Sequence, residues 1–423
     1  MNPTVVQVIG TVLFAIAILH TFSVGFFVRL AGKHPLHAGL LEMFAEVEFV
    51  FGFWAAVLVL FIGVLAVGEK GAATAVADYL STRDYTEPMF VFAIMVVAAS
   101  KPVLEFASFI VRIISRLLPV TPAVAVFFTI LAAVPLLSSF ITEPAAMTLA
   151  ALMLKELYYS KGLSNRLMYA TIGVLFVNVS IGGTLTNFAA PPVLMVASKW
   201  NWDSWFMLTQ IGWRSALAVL INALAVTLLF RKELQQLSLT GYGQRSNVPG
   251  LITALHLLLL FLIVLFSHHP QVFMAVLLIF MALAKAYSRH QHPLILREAL
   301  MVSCFLGGLV TLGGQQSWWL QPLLTQMSVT TVYYGATALT AVTDNAALTY
   351  LGSLVEGLSD EFKYALVTGA VTGGGLTVIA NAPNPAGASI LHGFFKDGAL
   401  NPARLLAAAF LPTLVAILVF RAI

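Results

Sequence analysis

The chain has 423 residues, 60% of them hydrophobic and 9% charged, with a mean hydropathy of +0.93. A soluble domain carries about 25% charged residues, so a fully solvated surface is excluded and a polytopic membrane protein is expected. The net charge of +4 is spread over loops, which excludes a nucleic-acid patch, and the single cysteine, Cys304, excludes an internal disulfide or a cysteine metal cluster.

Apolar runs near the ~20 residues needed to span a bilayer recur at 4–29, 40–66, 88–111, 121–139, 167–198, 204–230, 249–267, 271–287, 298–316, 330–342, 362–395 and 402–420. Backbone in lipid must satisfy its own hydrogen bonds, so these are read as helices. The first run is too long for the apolar core of a cleavable signal, and none is expected. Two runs are unlike plain spans. The run from Thr121 reaches Phe140, meets "TEPAA" (142–146), and then has only a short apolar arm before Lys155 and Glu156. The same shape recurs from Pro322 through "TDNAA" (343–347) to Glu356. Both read as re-entrant hairpins, over 121–157 and 322–357, a form tolerated only where the backbone is buried in protein or lines a cavity.

Charge bears on this layout. With the first residues outside and both segments as hairpins, inner loops hold fifteen Lys and Arg, Arg245 among them. Outer segments hold five, including Lys70. That excess is what the positive-inside rule requires.

The hairpins belong to a repeat. "TEPAAMT" (142–148) and "TDNAALT" (343–349) share Thr, an acid, a variable residue, Ala-Ala, an apolar residue and Thr. Downstream come "GGTLTNFAAPP" (182–192) and "GGGLTVIANAPNP" (373–385), each inside a run about thirty residues long. Gly, Pro and Asn there should interrupt the helix. The expected fold is therefore an all-α polytopic membrane protein with inverted repeats, each holding a re-entrant hairpin and a broken transmembrane helix. Residues 1–117 form N-terminal scaffold helices and 118–230 the first repeat core, with its broken helix at 167–198. A polar, flexible linker at 231–248 leads to second-half scaffold helices at 249–316. The second repeat core spans 317–423, with its broken helix at 362–395.

This pattern resembles the ion transporter superfamily of sodium/proton antiporters, arsenite permeases and dicarboxylate–sodium symporters. The whole chain, including "TVLFAIAILHTFSV" (11–24) and "EVEFVFGFWA" (46–55), is similar to a bacterial family labelled sodium/proton antiporters. The resemblance implies that hairpin tip and helix break of the same half form one ion site. That gives a Glu143 site and an Asp344 site in a multi-pass protein of the bacterial inner membrane, with a homodimer carried over from the superfamily.

The residues fit such sites. Sodium prefers hard oxygen ligands. The tips offer Thr142 and Glu143, and Thr343, Asp344 and Asn345; the breaks offer Thr184, Thr186 and Asn187, and Thr377, Asn381 and Asn384. A buried carboxylate can hold H⁺ or Na⁺ but not comfortably both, which is the minimal chemistry of a cation/proton antiporter. The expected function is secondary active Na⁺/H⁺ antiport, with no cofactor beyond the transported ions and no metal beyond transported Na⁺. Its partners are the lipid bilayer, monovalent cations and protons, with no nucleic acid. The alternatives are a sodium-coupled dicarboxylate symporter, disfavoured by two acids and no Lys or Arg at the tips, and an arsenite efflux permease. No enzyme motif is present. The plainer reading of the tips is capping, with Thr as N-cap and an acid in the first turn. Lys101 is expected to pair with Glu105 or with Glu46, tying helices together, and a proton relay through these three is the alternative. Glu42 and Glu48 lie at a depth similar to that of Glu46.

The layout makes opposite demands on two serines. A cysteine at Ser160 should react with an impermeant maleimide from the cytoplasmic face, and one at Ser359 from the outer face. Labelling of both from one face would remove the inversion.

Overall fold

The computed structural model describes residues 3–66, 71–239 and 248–422. Lys70, Arg245 and the 240–247 part of the expected linker lie outside these. Every regular element among the described residues is helical, as backbone in hydrocarbon requires. Among the described residues, six helices are long and apolar enough to cross a membrane, or up to eight if two bent pairs each count as one span. The chain is a multi-pass, all-α membrane protein.

Several runs that read as continuous are interrupted. The 4–29 run divides into Val5–Thr21 and Val24–Lys33, with a bend of 71° between Val5–Thr21 and Phe26–Lys33. The 88–111 run divides into Thr86–Ala98 and Lys101–Leu117, bent by 68°. Pro102 lies in the first turn of the second piece, where its missing N–H costs nothing. The 204–230 run contains a π-helical stretch, Met207–Gly212. The first arm of the second hairpin is two helices, Ser317–Leu324 and Val329–Thr340. The start of the linker is not loose. Arg231–Gln235 is helical, and Glu233 accepts hydrogen bonds from the Ser164 N–H (2.7 Å) and hydroxyl (2.9 Å).

The two marked segments in each half form the centre. In the first, Pro122–Ile141 turns at Thr142 into the tip helix Glu143–Leu157. A broken span follows: Asn165–Gly182, a 3₁₀ turn at Gly183–Leu185, then Pro191–Trp200. In the second, Val329–Thr340 leads to the tip helix Asn345–Ser353. Its broken span is Asp360–Gly373, a 3₁₀ turn at Val378–Ala380, then Asn384–Leu391. A threonine latches each break to its own hairpin: Thr186 Oγ1 donates to the Ser139 carbonyl (2.6 Å) and Thr377 Oγ1 to that of Ala341 (2.8 Å).

The tip helices pack across the halves. Glu143–Leu157 lies against Asn384–Leu391, and Asn345–Ser353 against Pro191–Trp200. The broken spans cross where Ser180 Oγ donates to the Val371 carbonyl (2.7 Å). A Cβ added at Gly375 would sit 2.3 Å from Val177 Cα, so only glycine permits this approach.

Gly375→Ala should therefore damage folding rather than chemistry alone. Overpacking of a close-packed core costs about 1–3 kcal/mol or more, so the variant should show a lowered melting temperature and less monodisperse protein on size-exclusion chromatography.

Candidate functional site

The two tips are built differently. At the second, Asp344 is the N-cap: its Oδ1 accepts from the N–H groups of Ala346 (2.8 Å) and Ala347 (3.2 Å). The acid, not Thr343, does the capping. At the first, Thr142 holds the N-cap position with φ 71° and ψ 152°, and its side chain makes no capping bond. This is a conformation that glycine favours, costing a residue with a Cβ about 1–3 kcal/mol. Thr142 is also buried, and its Oγ1 has no hydrogen-bond partner in the protein.

Glu143 follows, with no exposed surface. Its Oε2 accepts a 2.8 Å hydrogen bond from Asn381 Nδ2, and its Oε1 finds no partner in the protein. The expected pairing of tip and break within one half therefore fails for this bond, because Asn381 comes from the other half. The crossing at Gly375 and the packing of Asn384–Leu391 on the first tip helix bring that segment over Glu143. The first half's own break also touches the acid: a Cβ at Gly183 would lie 2.6 Å from Glu143 Oε1.

The other expected residues divide into two groups. Asn345, Asn381 and Asn384 are buried, and each keeps a side-chain oxygen without a protein partner. Asn345 lies at the crossing, with its Nδ2 beside Gly374. Asn384 Nδ2 closes the second break by donating to the carbonyls of Gly374 (2.8 Å) and Thr377 (2.9 Å). The remaining side chains are used locally. Thr184 Oγ1 bonds the Ile181 carbonyl and the Ser215 hydroxyl, while Thr186 and Thr377 form the latches. Asn187 accepts from the Ser204 hydroxyl (2.7 Å) and faces a different cleft, beside Glu87 and Ser198. Thr343 lines a cleft of about 330 Å³ with Asp344, Ile18 and Phe51.

Asp344 differs from Glu143 in access. It is half-buried, between the second tip and the early helices. A second cleft, about 370 Å³, brings it together with Asn381 and with Glu48 of Val47–Leu65. Glu48 was not among the expected ligands; its only mark in the sequence is an acid at the start of an apolar run. The Glu46–Lys101 alternative is not formed. Glu46 pairs with Arg297, and Lys101 Nζ lies 3.9 Å from Glu105. Three ion pairs occur among the described residues, and neither Glu143 nor Asp344 takes part in any.

Such oxygens suit a hard monovalent cation. Residues 5–423 match the profile of a protein family described as "Putative Na+/H+ antiporter". The chain belongs to this family. A search of curated proteins returned no match. Membership in a family so described points to a transporter.

The Gly183 contact yields a direct check. Gly183→Ala should displace the Glu143 carboxylate while leaving the tip helix in place. Transport should fall severalfold in vesicles with wild-type protein content, and unchanged transport would mean that this carboxylate position is not critical.

Proposed function

We propose that this antiporter-family member exchanges Na⁺ for protons across a bacterial inner membrane, with Glu143 and Asp344 as the groups that hold either ion. One observation carries this reading. Glu143 is fully buried, receives a single amide hydrogen bond, and has no cationic side chain paired with it. An isolated carboxylate in such a place is too costly to stay charged. It is neutralised by a proton or by a cation, and exchange of one for the other is antiport.

The chemistry follows from the groups present. With Glu143 ionised, Asn381 Nδ2 supplies one stabilising donor, and Oε1 and the unpartnered hydroxyl oxygen of the preceding Thr142 are available to a hard cation. With Glu143 protonated, Oε1 can carry the proton and the charge is gone. Asp344 stands closer to an opening and so serves as the more accessible group. In this reading the halves lie inverted in the membrane, so that the two tips approach the centre from opposite faces. A dianion is a poor fit because no Lys, Arg or His lines the clefts at Asp344.

Capping and ion exchange are separable at Asp344, since asparagine caps a helix as well as aspartate does. Asp344→Asn should insert and fold normally. In everted vesicles, its Na⁺-induced recovery of acridine orange fluorescence should fall to the level of vesicles without the protein. Glu143→Gln should do the same. Wild-type exchange in both variants would end the proposal.

A further inference from the structure

We propose that Glu48 is a direct ligand of the transported cation, completing with Asp344 and Asn381 a site shared between the early helices and the second tip. This rests on the exchange reading above and adds to it a residue from outside both hairpins and both breaks. Glu48, Asp344 and Asn381 face one cleft of about 370 Å³, whose other lining residues are apolar. No basic side chain lines it, and Glu48 and Asp344 are absent from every ion pair among the described residues.

The contrast with Glu46 is informative. Glu46 lies two residues earlier, on a different side of the helix start, and is neutralised by Arg297. Glu48 has no such partner and is turned toward Asp344. Two carboxylates facing one small cleft repel unless something positive lies between them.

Asn381 supplies the independent sign of a ligand. It is 1% exposed, and its Nδ2 is committed to Glu143. That bond leaves Oδ1, which has no protein partner, as the end available to the cleft. Two carboxylates and an amide oxygen are hard donors of net negative charge, suited to Na⁺ and unsuited to an anion. Three protein donors are fewer than the roughly six to eight oxygens that a resident Ca²⁺ takes, so the set fits a weakly held monovalent ion in transit.

The test measures binding of ²²Na⁺ to the purified full chain in detergent at alkaline pH, with choline chloride holding the ionic strength. Glu48→Gln should raise the half-saturating Na⁺ concentration on the order of tenfold, the lower end of the loss when a group supporting a bound metal is removed. Glu48→Asp should fall between the two, and Glu42→Gln, an exposed acid nearby, should bind like wild type. If Glu48→Gln also binds like wild type while Asp344→Asn does not, the assignment of Glu48 is wrong and the exchange reading stands. If both bind like wild type, both ideas fall. A second measurement needs no variant. Dicyclohexylcarbodiimide, which modifies carboxyls in apolar surroundings, should label Glu48 in the wild-type protein, and Na⁺ should protect it. Labelling of Glu48 that is indifferent to Na⁺, at concentrations that protect Asp344, overturns the proposal.

Discussion

A Cβ at Gly375 would lie 2.3 Å from the backbone of Val177, and one at Gly374 would lie 2.1 Å from Ser180 Oγ. The two broken spans can cross only because these positions carry no side chain. The rest of the centre depends on that crossing. It sets the second break against the first tip, so that Asn381 reaches Glu143. Freed backbone at the breaks is closed by side chains: Ser139 Oγ donates to the Gly182 carbonyl and accepts from the Leu185 N–H, and Asn384 Nδ2 donates to the carbonyls of Gly374 and Thr377. Irregular backbone is tolerated in a membrane protein where it is enclosed by protein, as it is at these breaks.

The two acids then occupy unlike settings. Glu143 is sealed, follows a threonine in a glycine-like conformation, and keeps one oxygen without a partner. Asp344 sits on ordinary backbone, caps its helix, and borders two clefts. One position is tense and closed; the other is relaxed and reachable. Asn381 touches both, through a hydrogen bond on one side and a cleft wall on the other. In the antiporter reading, that makes the pair one coupled unit rather than two independent copies.

The sequence carried the architecture further than the site. The helix turns at Thr142 and before Asn345, and the two helix breaks, are legible because they leave coarse marks: an acid inside an apolar run, and Gly-Gly or Asn-Pro where a helix should continue. The break at Ser100 was missed because Lys101-Pro102 inside an apolar run resembles a span with one stray charge. The π-helical stretch at Met207–Gly212 leaves no compositional trace. The site was legible as residue types but not as partners. Asn381 was named, yet its bond to Glu143 spans the two halves and depends on a backbone crossing that no local pattern encodes. The sequence offers Thr184, Thr186 and Thr377 as oxygen ligands, and in the structure their hydroxyl protons go to neighbouring carbonyls. Spacing does not reveal that competition. Glu48 does not stand out in the sequence because it is one of three acids, with Glu42 and Glu46, at the start of the same apolar run.

Each tip helix packs on the broken span of the other half, Glu143–Leu157 on Asn384–Leu391 and Asn345–Ser353 on Pro191–Trp200. The halves are thus clasped rather than stacked. Each tip helix is covered partly by its own half and partly by the other, so neither half alone encloses its tip as the whole chain does. The first tip helix is made well before Asn384–Leu391, so the face that this segment covers gains its cover only late in synthesis. Loss of Asn384–Leu391 would therefore uncover a helix that lies far earlier in the chain.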